Sequence, residues 1–242
     1  MLKFFRTIRK KLIEDPSKGR TGDNVRKYLL YAIGEILLVV IGILIALQVN
    51  NWNEERILRN VEQRYLHDLI SDLQQDSTAL HILSIEAKKI SESKSIILDV
   101  MDNQRIETDS LLTHFYNQWG AYNIFNPVTT TIDEMKSGDG LGVIRNTKLR
   151  RHLVSHYNFY ENFKQEEQLF QNGTREVFRL SRQHLKNINS ASDNEIKVAL
   201  QIPALANAIR TNFAQGRLEA IHAALHQCTQ ILSEIRIYQN NH

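Results

Sequence analysis

The sequence predicts an all-α protein in which one N-terminal transmembrane helix continues into an extracytoplasmic antiparallel helical bundle. Three observations support this fold class. A continuous apolar stretch lies near the N-terminus, long apolar repeats with helical spacing follow it, and only 10 glycines and 3 prolines occur in 242 residues. No segment shows the alternation of apolar and polar residues that is typical of half-buried strands. We therefore expect helices that pack on one another.

The apolar stretch at residues 29–49 reads LLYAIGEILLVVIGILIALQV, and only Glu35 and Gln48 in it are strongly polar. As a helix it spans about 30 Å, the thickness of the hydrocarbon core of a bilayer. A cleaved signal peptide fits less well, because the apolar core is too long and no small-residue cleavage site follows it. Trp52 and the charges after it are typical of a membrane interface. We predict a transmembrane helix over residues 28–49.

The charge distribution predicts the orientation of this helix. Residues 1–27 hold nine Lys or Arg and three acids, and the remaining residues hold 21 bases and 24 acids. Such a basic tail stays in the cytoplasm. The sequence thus predicts a single-pass protein of the bacterial inner (cytoplasmic) membrane with a periplasmic domain at residues 50–242. The tail would face anionic lipids, so the lipid bilayer is an expected partner and nucleic acid is not.

Within the tail, Leu2, Phe5, Ile8 and Leu12 fall near one face of a helix. This spacing predicts a short amphipathic helix on the cytoplasmic leaflet, with a disordered basic tail as the alternative. Residues 16–24 (PSKGRTGDN) predict a flexible hinge before the span.

The region after the span carries an apolar seam with heptad spacing. Eight of its ten positions are apolar, and no Gly or Pro interrupts residues 50–118. The pattern predicts a helix of about 45 residues with coiled-coil packing, against later helices of the chain or against another subunit. The seam positions are Leu66, Leu69, Leu73, Asp76, Leu80, Leu83, Ala87, Ile90, Lys94 and Ile97.

Later segments predict the rest of the bundle. A long helix follows Asn146, which has the side chain of a good N-cap. Pro203 fits the first turn of a helix that ends near Phe213, and Gly216 separates it from a last helix over residues 217–238. The long helix repeats every seven residues at Leu149, His156, Phe163, Phe170, Val177 and His184.

Two stretches resemble a known family. YAIGEILLVVIGILIALQVNNWNEER, preceded by KFFRTIRKKL, is similar to the opening of a family of unknown function that is common in Bacteroidota. FNPVTTTIDEMKSGDGLGVIRNTKLRRHLVSHY is similar to the middle segment of the same family. The resemblance implies a single-span inner-membrane protein with a helical exterior domain. It implies no activity and transfers no catalytic residue.

Two histidine pairs are candidates for metal binding. His152 and His156, like His222 and His226, are spaced i,i+4, so each pair lies on one side of a helix. Neither pair has a third ligand nearby, and we therefore expect no metal and no cofactor, with a four-histidine site across the bundle as the alternative. A single cysteine, Cys228, excludes an intramolecular disulfide. Its place in the apolar spacing of the last helix predicts burial.

The glycine-rich residues 137–142 (SGDGLG) predict a turn between helices, with Gly138 as a helix C-cap. A phosphate-binding loop would need a preceding buried strand, which the pattern lacks. No motif pairs a nucleophile with a base. We therefore expect no enzymatic activity and no catalytic residues.

Glu35 is unusual because a carboxylate inside a span costs about 2.5–3.5 kcal/mol at mid-helix. At 100° per residue it falls on one stripe with Gly42 and Ala46, and Gly42-x-x-x-Ala46 is a small-xxx-small contact signature. We predict that Glu35, Gly42 and Ala46 form a transmembrane interaction face. Its partner would be a second copy of the chain or another membrane protein.

The sequence favours a membrane-anchored, non-enzymatic scaffold or assembly protein with a periplasmic helical domain. Two alternatives stay open: an accessory subunit of a proton-coupled membrane complex that uses Glu35, and a periplasmic ligand-sensing helical bundle. The second alternative is weaker, because 27 cytoplasmic residues are too few for an output domain.

Overall fold

The computed structural model describes residues 21–104, 110–120 and 123–240. Throughout these ranges the regular elements are α-helices, which confirms the all-α fold class. The chain divides into two compact units, one that ends at Leu58 and one that begins at Arg59. The helices of the described ranges are α1 (Thr21–Met101), α2 (Leu111–Tyr116), α3 (Thr130–Ser137), α4 (Gly140–Val143), α5 (Thr147–His184), α6 (Asp193–Leu200), α7 (Pro203–Thr211) and α8 (Ala214–Asn240).

The first unit contains the apolar part of α1. Among the described residues, one helix is long and apolar enough to cross a membrane. Its most apolar 18-residue window has a mean hydropathy of 2.7, and none of that window is buried inside the protein. Because α1 begins at Thr21, the end of the predicted hinge is helical instead. The predicted amphipathic segment at residues 2–13 lies outside the described residues.

The second unit confirms the predicted seam of α1. Nine of the ten seam residues are buried, and Lys94 is the half-buried exception. The Lys94 ammonium donates to the carbonyl oxygens of Arg210 and Asn212 at the C-terminal end of α7. A cation at this position satisfies carbonyl groups that have no partner within their own helix.

Two large apolar clusters form the core of the second unit. One joins the middle of α1 to α3, α5 and α8. The other joins the C-terminal end of α1 to α2, α6, α7 and the end of α5. The predicted repeat on α5 is buried from Leu149 to Val177, whereas His184 is exposed because α5 ends there.

The helix directions correct the expected antiparallel arrangement. Glu62 near the start of the bundle part of α1 contacts both Arg145, just before α5, and Tyr238 near the end of α8. At the other end, Ile97 of α1 shares a cluster with Val177 of α5. Thus α8 runs antiparallel to α1, as expected, but α5 runs parallel to it. The sequence pattern could not show this, because periodicity carries no information on direction.

Parallel helices need a connection that returns along the length of the bundle, and residues 102–146 provide it. Successive hydrogen bonds join later residues of this connection to earlier residues of α1. They pair Asn123 with Glu86, Val128 with Asp76, Thr131 with Asp72 and Arg145 with Glu62. We call residues 102–146 the return connection.

The helix boundaries agree with the sequence prediction at the start of α5 and differ from it at the start of α8. The Asn146 side chain accepts hydrogen bonds from the backbone N–H groups of Lys148 and Leu149, as predicted for an N-cap. The sequence predicted that Gly216 precedes the last helix. In the structure it lies in the first turn of that helix. A Cβ on Gly216 would meet the ring of Phe213 at 2.1 Å, so glycine leaves room for that ring.

The predicted turn at residues 137–142 also contains the short helix α4. Gly138 follows α3 as its C-cap, in an extended conformation. Gly140 begins α4 and is buried against Met135.

Replacing Gly140 with alanine is expected to destabilise the bundle by about 1–3 kcal/mol, because the new Cβ would lie 2.9 Å from the Cα of Met135. The matched change Gly142→Ala places a Cβ with nothing within 4 Å. It should be neutral or slightly stabilising, since alanine loses less entropy in a helix. Urea unfolding of the detergent-solubilised chain, followed by circular dichroism, measures both. Equal stabilities would contradict the close contact of α3 with α4.

Candidate functional site

The predicted interaction face lies on the exposed surface of the first unit. Glu35, Gly42 and Ala46 are all exposed, and a Cβ built on Gly42 would have nothing within 4 Å. Neighbouring apolar side chains are exposed as well, from 43% for Val40 to 76% for Tyr28. The surface therefore has room for a second helix, and its association with one stays a prediction.

The predicted histidine pairs have different environments. The Nδ1 atom of His152 lies 2.7 Å from Oε2 of Glu234, and His156 is buried with 2% of its surface exposed. His222 and His226 are exposed. Over the described ranges, no group of three or more His, Cys, Asp or Glu could hold a metal ion. The four-histidine site is thus not formed in this part of the chain.

A buried polar cluster lies where α1, α5 and α8 meet, and sequence reasoning missed it. Its five residues are at most 3% exposed: Asp76, His156, Tyr157, Tyr160 and Cys228. The His156 ring packs on Tyr160 with 4.3 Å between centroids. The Cys228 thiol donates to the Leu73 carbonyl oxygen over 3.2 Å, so the predicted burial of Cys228 is confirmed. Asp76 and His156 both fall on apolar seams, which is the signal that could have revealed the cluster.

Burial shifts the pKa values of the acidic and basic members of the polar cluster. Desolvation raises the pKa of Asp76 from 3.8 to about 6, and the Asp72 charge adds to this, although the Val128 N–H opposes it. Desolvation lowers the pKa of His156 to about 4, so its ring is neutral at neutral pH. Burial also raises the pKa of the Cys228 thiol to about 11. Near pH 7, Asp76 is therefore the member whose charge responds to small pH changes.

Several polar atoms of the cluster have no hydrogen-bond partner among the described residues. They are Oδ2 of Asp76, both ring nitrogens of His156 and the hydroxyl oxygens of Tyr157 and Tyr160. Buried polar groups in native proteins are nearly always paired, so adjacent exceptions require a physical explanation. Burial raises the pKa values of both tyrosines far above their usual range, so their hydroxyl groups stay protonated.

A buried ion pair joins α5 to α8. Arg217 and Glu167 are 2% and 4% exposed at their side chains, and two N–H groups of the guanidinium donate to the two carboxylate oxygens over 2.7 and 3.0 Å. Arg217 also donates to the carbonyl oxygen of Asn123 in the return connection over 2.7 Å, and its guanidinium lies 4.3 Å from the Phe170 ring centroid. The bidentate geometry is that of a strong, orientation-specific pair.

Comparison with known proteins identifies the family. Residues 35–208 match the model of a family of unknown function (DUF6090). The chain belongs to this family. The matched region includes the predicted interaction face and the return connection, and it ends before α8. Neither the comparison with curated proteins nor the comparison with solved structures finds a match.

In this DUF6090 chain, Arg217→Met should cost about 3–5 kcal/mol of stability, because it leaves the Glu167 carboxylate buried without its partner. The double variant Arg217→Met/Glu167→Met should lose less than the single one. The exposed Arg179–Glu176 pair gives the control, and Arg179→Ala should cost at most about 1 kcal/mol. Denaturant unfolding measures all three. The ion-pair account fails if Arg217→Met costs no more than Arg179→Ala.

Protonation of His156 should destabilise the bundle in acid. Because burial lowers its pKa from 6.5 to about 4, the unfolded chain binds this proton first. The stabilisation from the neutral ring is present above the unfolded pKa and is lost as the pH falls through the folded one. In His156→Phe, the free energy of unfolding relative to wild type should therefore increase from about pH 7 to about pH 4.5. A difference that does not change with pH would argue against a buried neutral imidazole.

Proposed function

We propose that this DUF6090 chain is a membrane-anchored, non-enzymatic scaffold or interaction protein. Its span lies in the bacterial inner membrane, its N-terminus in the cytoplasm and its helical bundle in the periplasm. The observation that carries the proposal is the apolar window of α1, of which no part is buried inside the protein. Apolar surface left in water costs about 25 cal/mol per Å², and a bilayer removes that cost.

The proposed interaction face is the stripe of Glu35, Gly42 and Ala46. Small residues let two helix backbones approach closely, and Gly42 has open space around it within its own chain. Close approach would bring a hydrogen-bond donor of the partner to Glu35, which compensates the cost of placing a carboxylate in the span. Another span, from a second copy or from a different membrane protein, has the chemistry that fits this surface.

The non-enzymatic part of the proposal rests on where the perturbed ionisable groups lie. Active sites usually hold such groups in an accessible cleft. Here Asp76, His156 and Cys228 are at most 2% exposed, so a substrate cannot reach them without opening the bundle.

An accessory subunit of a proton-coupled complex is the second candidate. The exposed position of Glu35 within the apolar part of α1 favours it, because membrane-embedded carboxylates often carry protons. Glu35→Gln distinguishes the two functions. The amide keeps hydrogen bonding but exchanges no proton, so a scaffold should retain its function, whereas a coupled subunit should lose function while its complex stays intact.

The orientation predicts the behaviour of reporter fusions. Alkaline phosphatase fused after Asn60 should be active, and a fluorescent protein that folds only in the cytoplasm should be dark at the same position, because the basic tail holds residues 1–27 inside. Enzyme activity and fluorescence in whole cells provide the readout. The opposite pattern would overturn the proposed localisation.

Gly42→Leu should abolish association through the span, because the larger side chain separates the helix backbones. The matched control is Gly34→Leu, since Gly34 also has nothing within 4 Å of a built Cβ but lies about 80° away around the helix. A two-hybrid assay in bacterial membranes measures both, with expression checked by immunoblot. Equal signals from the two variants would remove the stripe as the interaction face.

A further inference from the structure

We propose that the cleft between α4 and α5 is the docking point for an acidic segment of a partner protein. A carboxylate of that segment binds the guanidinium groups of Arg150 and Arg151, and a neighbouring apolar side chain packs on the apolar wall of the cleft. The proposal rests on the interaction function proposed above, and it names the chemistry of the partner that the second unit binds.

The cleft lies on the surface of the second unit, where the short helix α4 meets the first turns of α5. It has a volume of about 440 Å³, and its surface is mostly apolar although two of its lining residues are arginines. The lining residues are Leu141, Gly142, Arg150, Arg151 and Val154. Positive charge and apolar surface therefore occur side by side, as at the hot spots of protein interfaces, where arginine is enriched.

The two arginines of the cleft have their side-chain donors available for a ligand. Among the described residues, no hydrogen bond or ion pair engages either guanidinium, and no acidic side chain lines the cleft. Other arginines of the second unit are paired with acids: Arg179 with Glu176, Arg210 with Asp102 and Arg217 with Glu167. A guanidinium presents its N–H groups in a planar fork that matches the two oxygens of a carboxylate. The complementary group for the cleft is therefore a carboxylate.

The walls of the cleft are held in place by the packing behind them. Leu141 packs against the core cluster that joins α1 to α3, α5 and α8, and the buried Gly140 contacts Met135 of α3. On the other wall, the Arg150 N–H donates to the Asn146 carbonyl oxygen in the first turn of α5 over 2.9 Å. A surface that is ordered before binding loses less entropy when a partner binds.

The open form of the cleft favours a polypeptide segment over a small molecule. Arg151 and Gly142 are exposed, and a Cβ built on Gly142 has nothing within 4 Å. Small-molecule sites enclose about 70–90% of their ligand, whereas a small ligand here would remain open to water on one side. A polypeptide extends beyond the cleft, so it can cover the rim and exclude water from the charged contacts. These features fit an Asp or Glu that lies next to an apolar residue of the partner.

Binding of short peptides to the full chain in neutral detergent tests the proposal. The probes are pentapeptides that combine one or two Asp or Glu residues with one Leu, in every order, with Ser at the other positions. One matched set replaces the acids with Asn or Gln, and another replaces Leu with Ser. We expect peptides of the first set to bind about tenfold more tightly than their counterparts in both matched sets. Because the basic tail at residues 1–27 attracts any acidic peptide, the set without Leu measures that contribution.

Two double variants with the same change in charge locate the binding site. Arg150→Gln/Arg151→Gln should weaken the binding of these peptides about tenfold, because it removes the charge-assisted hydrogen bonds. Lys88→Gln/Lys89→Gln removes an adjacent pair of exposed cations on α1, and it should change the affinity by less than about twofold. Gly142→Leu gives an independent measurement should the arginine variant fail to fold. It keeps both arginines but places a side chain in the cleft, so it should also weaken binding.

Three results would overturn the proposal: no difference between the first set and its matched sets, equal losses in the two double variants, or wild-type affinity in Gly142→Leu. Inorganic phosphate supplies a further check, because it has no apolar part and should displace the peptides only weakly. Displacement by phosphate at the concentration at which the peptides themselves bind would indicate a plain anion site and contradict the proposal. The reporter fusions and the two-hybrid assay test the membrane function separately, so its failure is distinguishable from the failure of the cleft.

Discussion

The second unit depends on buried carboxylates of α1 that accept backbone N–H groups from the return connection. Because α5 runs parallel to α1, the chain must travel back along the whole bundle before α5 begins. Residues 123–129 of this path have no regular secondary structure, and buried N–H groups without partners would be costly. Glu62, Asp72 and Asp76 supply acceptors at three levels, and Asp72 also provides the N-terminal cap that α3 lacks from its own Thr129. The parallel direction of α5 thus requires the return connection, and the acids of α1 pair its buried N–H groups.

A buried ion pair also holds the return connection. The Arg217 guanidinium of α8 donates to the Asn123 carbonyl oxygen while it pairs with Glu167 of α5. The return connection is therefore linked to both helices at Asn123. Phe125 of this segment packs against Tyr160 of the polar cluster, with 5.0 Å between the ring centroids. Because the ring and the hydrogen bonds lie in the same few residues, opening the segment would disturb apolar packing and polar pairing together.

Periodicity predicted the buried faces of the helices, since burial and helical spacing are directly related. It predicted the seam of α1 and the burial of Cys228, while the N-cap preference of asparagine predicted the cap at Asn146. It could not predict pairs across the bundle, because Arg217 and Glu167 are 50 residues apart and neither stands out on its own helix. Asp76 counted in the sequence as an exception on an apolar seam, although it anchors the connection. The interaction face at Glu35 depends on contacts outside the chain, so folding of a single chain does not test it.

The free energy of unfolding of paired substitutions at Glu62, Asp72 and Asp76 tests the central claim most directly. Each alanine variant should lose about 1–3 kcal/mol, because a buried N–H group is left without an acceptor. Each amide variant, Gln at position 62 and Asn at 72 and 76, retains a carbonyl oxygen and should be clearly more stable than its alanine counterpart. Equal stabilities of the alanine and amide variants at all three positions would contradict the view that these carboxylates hold the return connection.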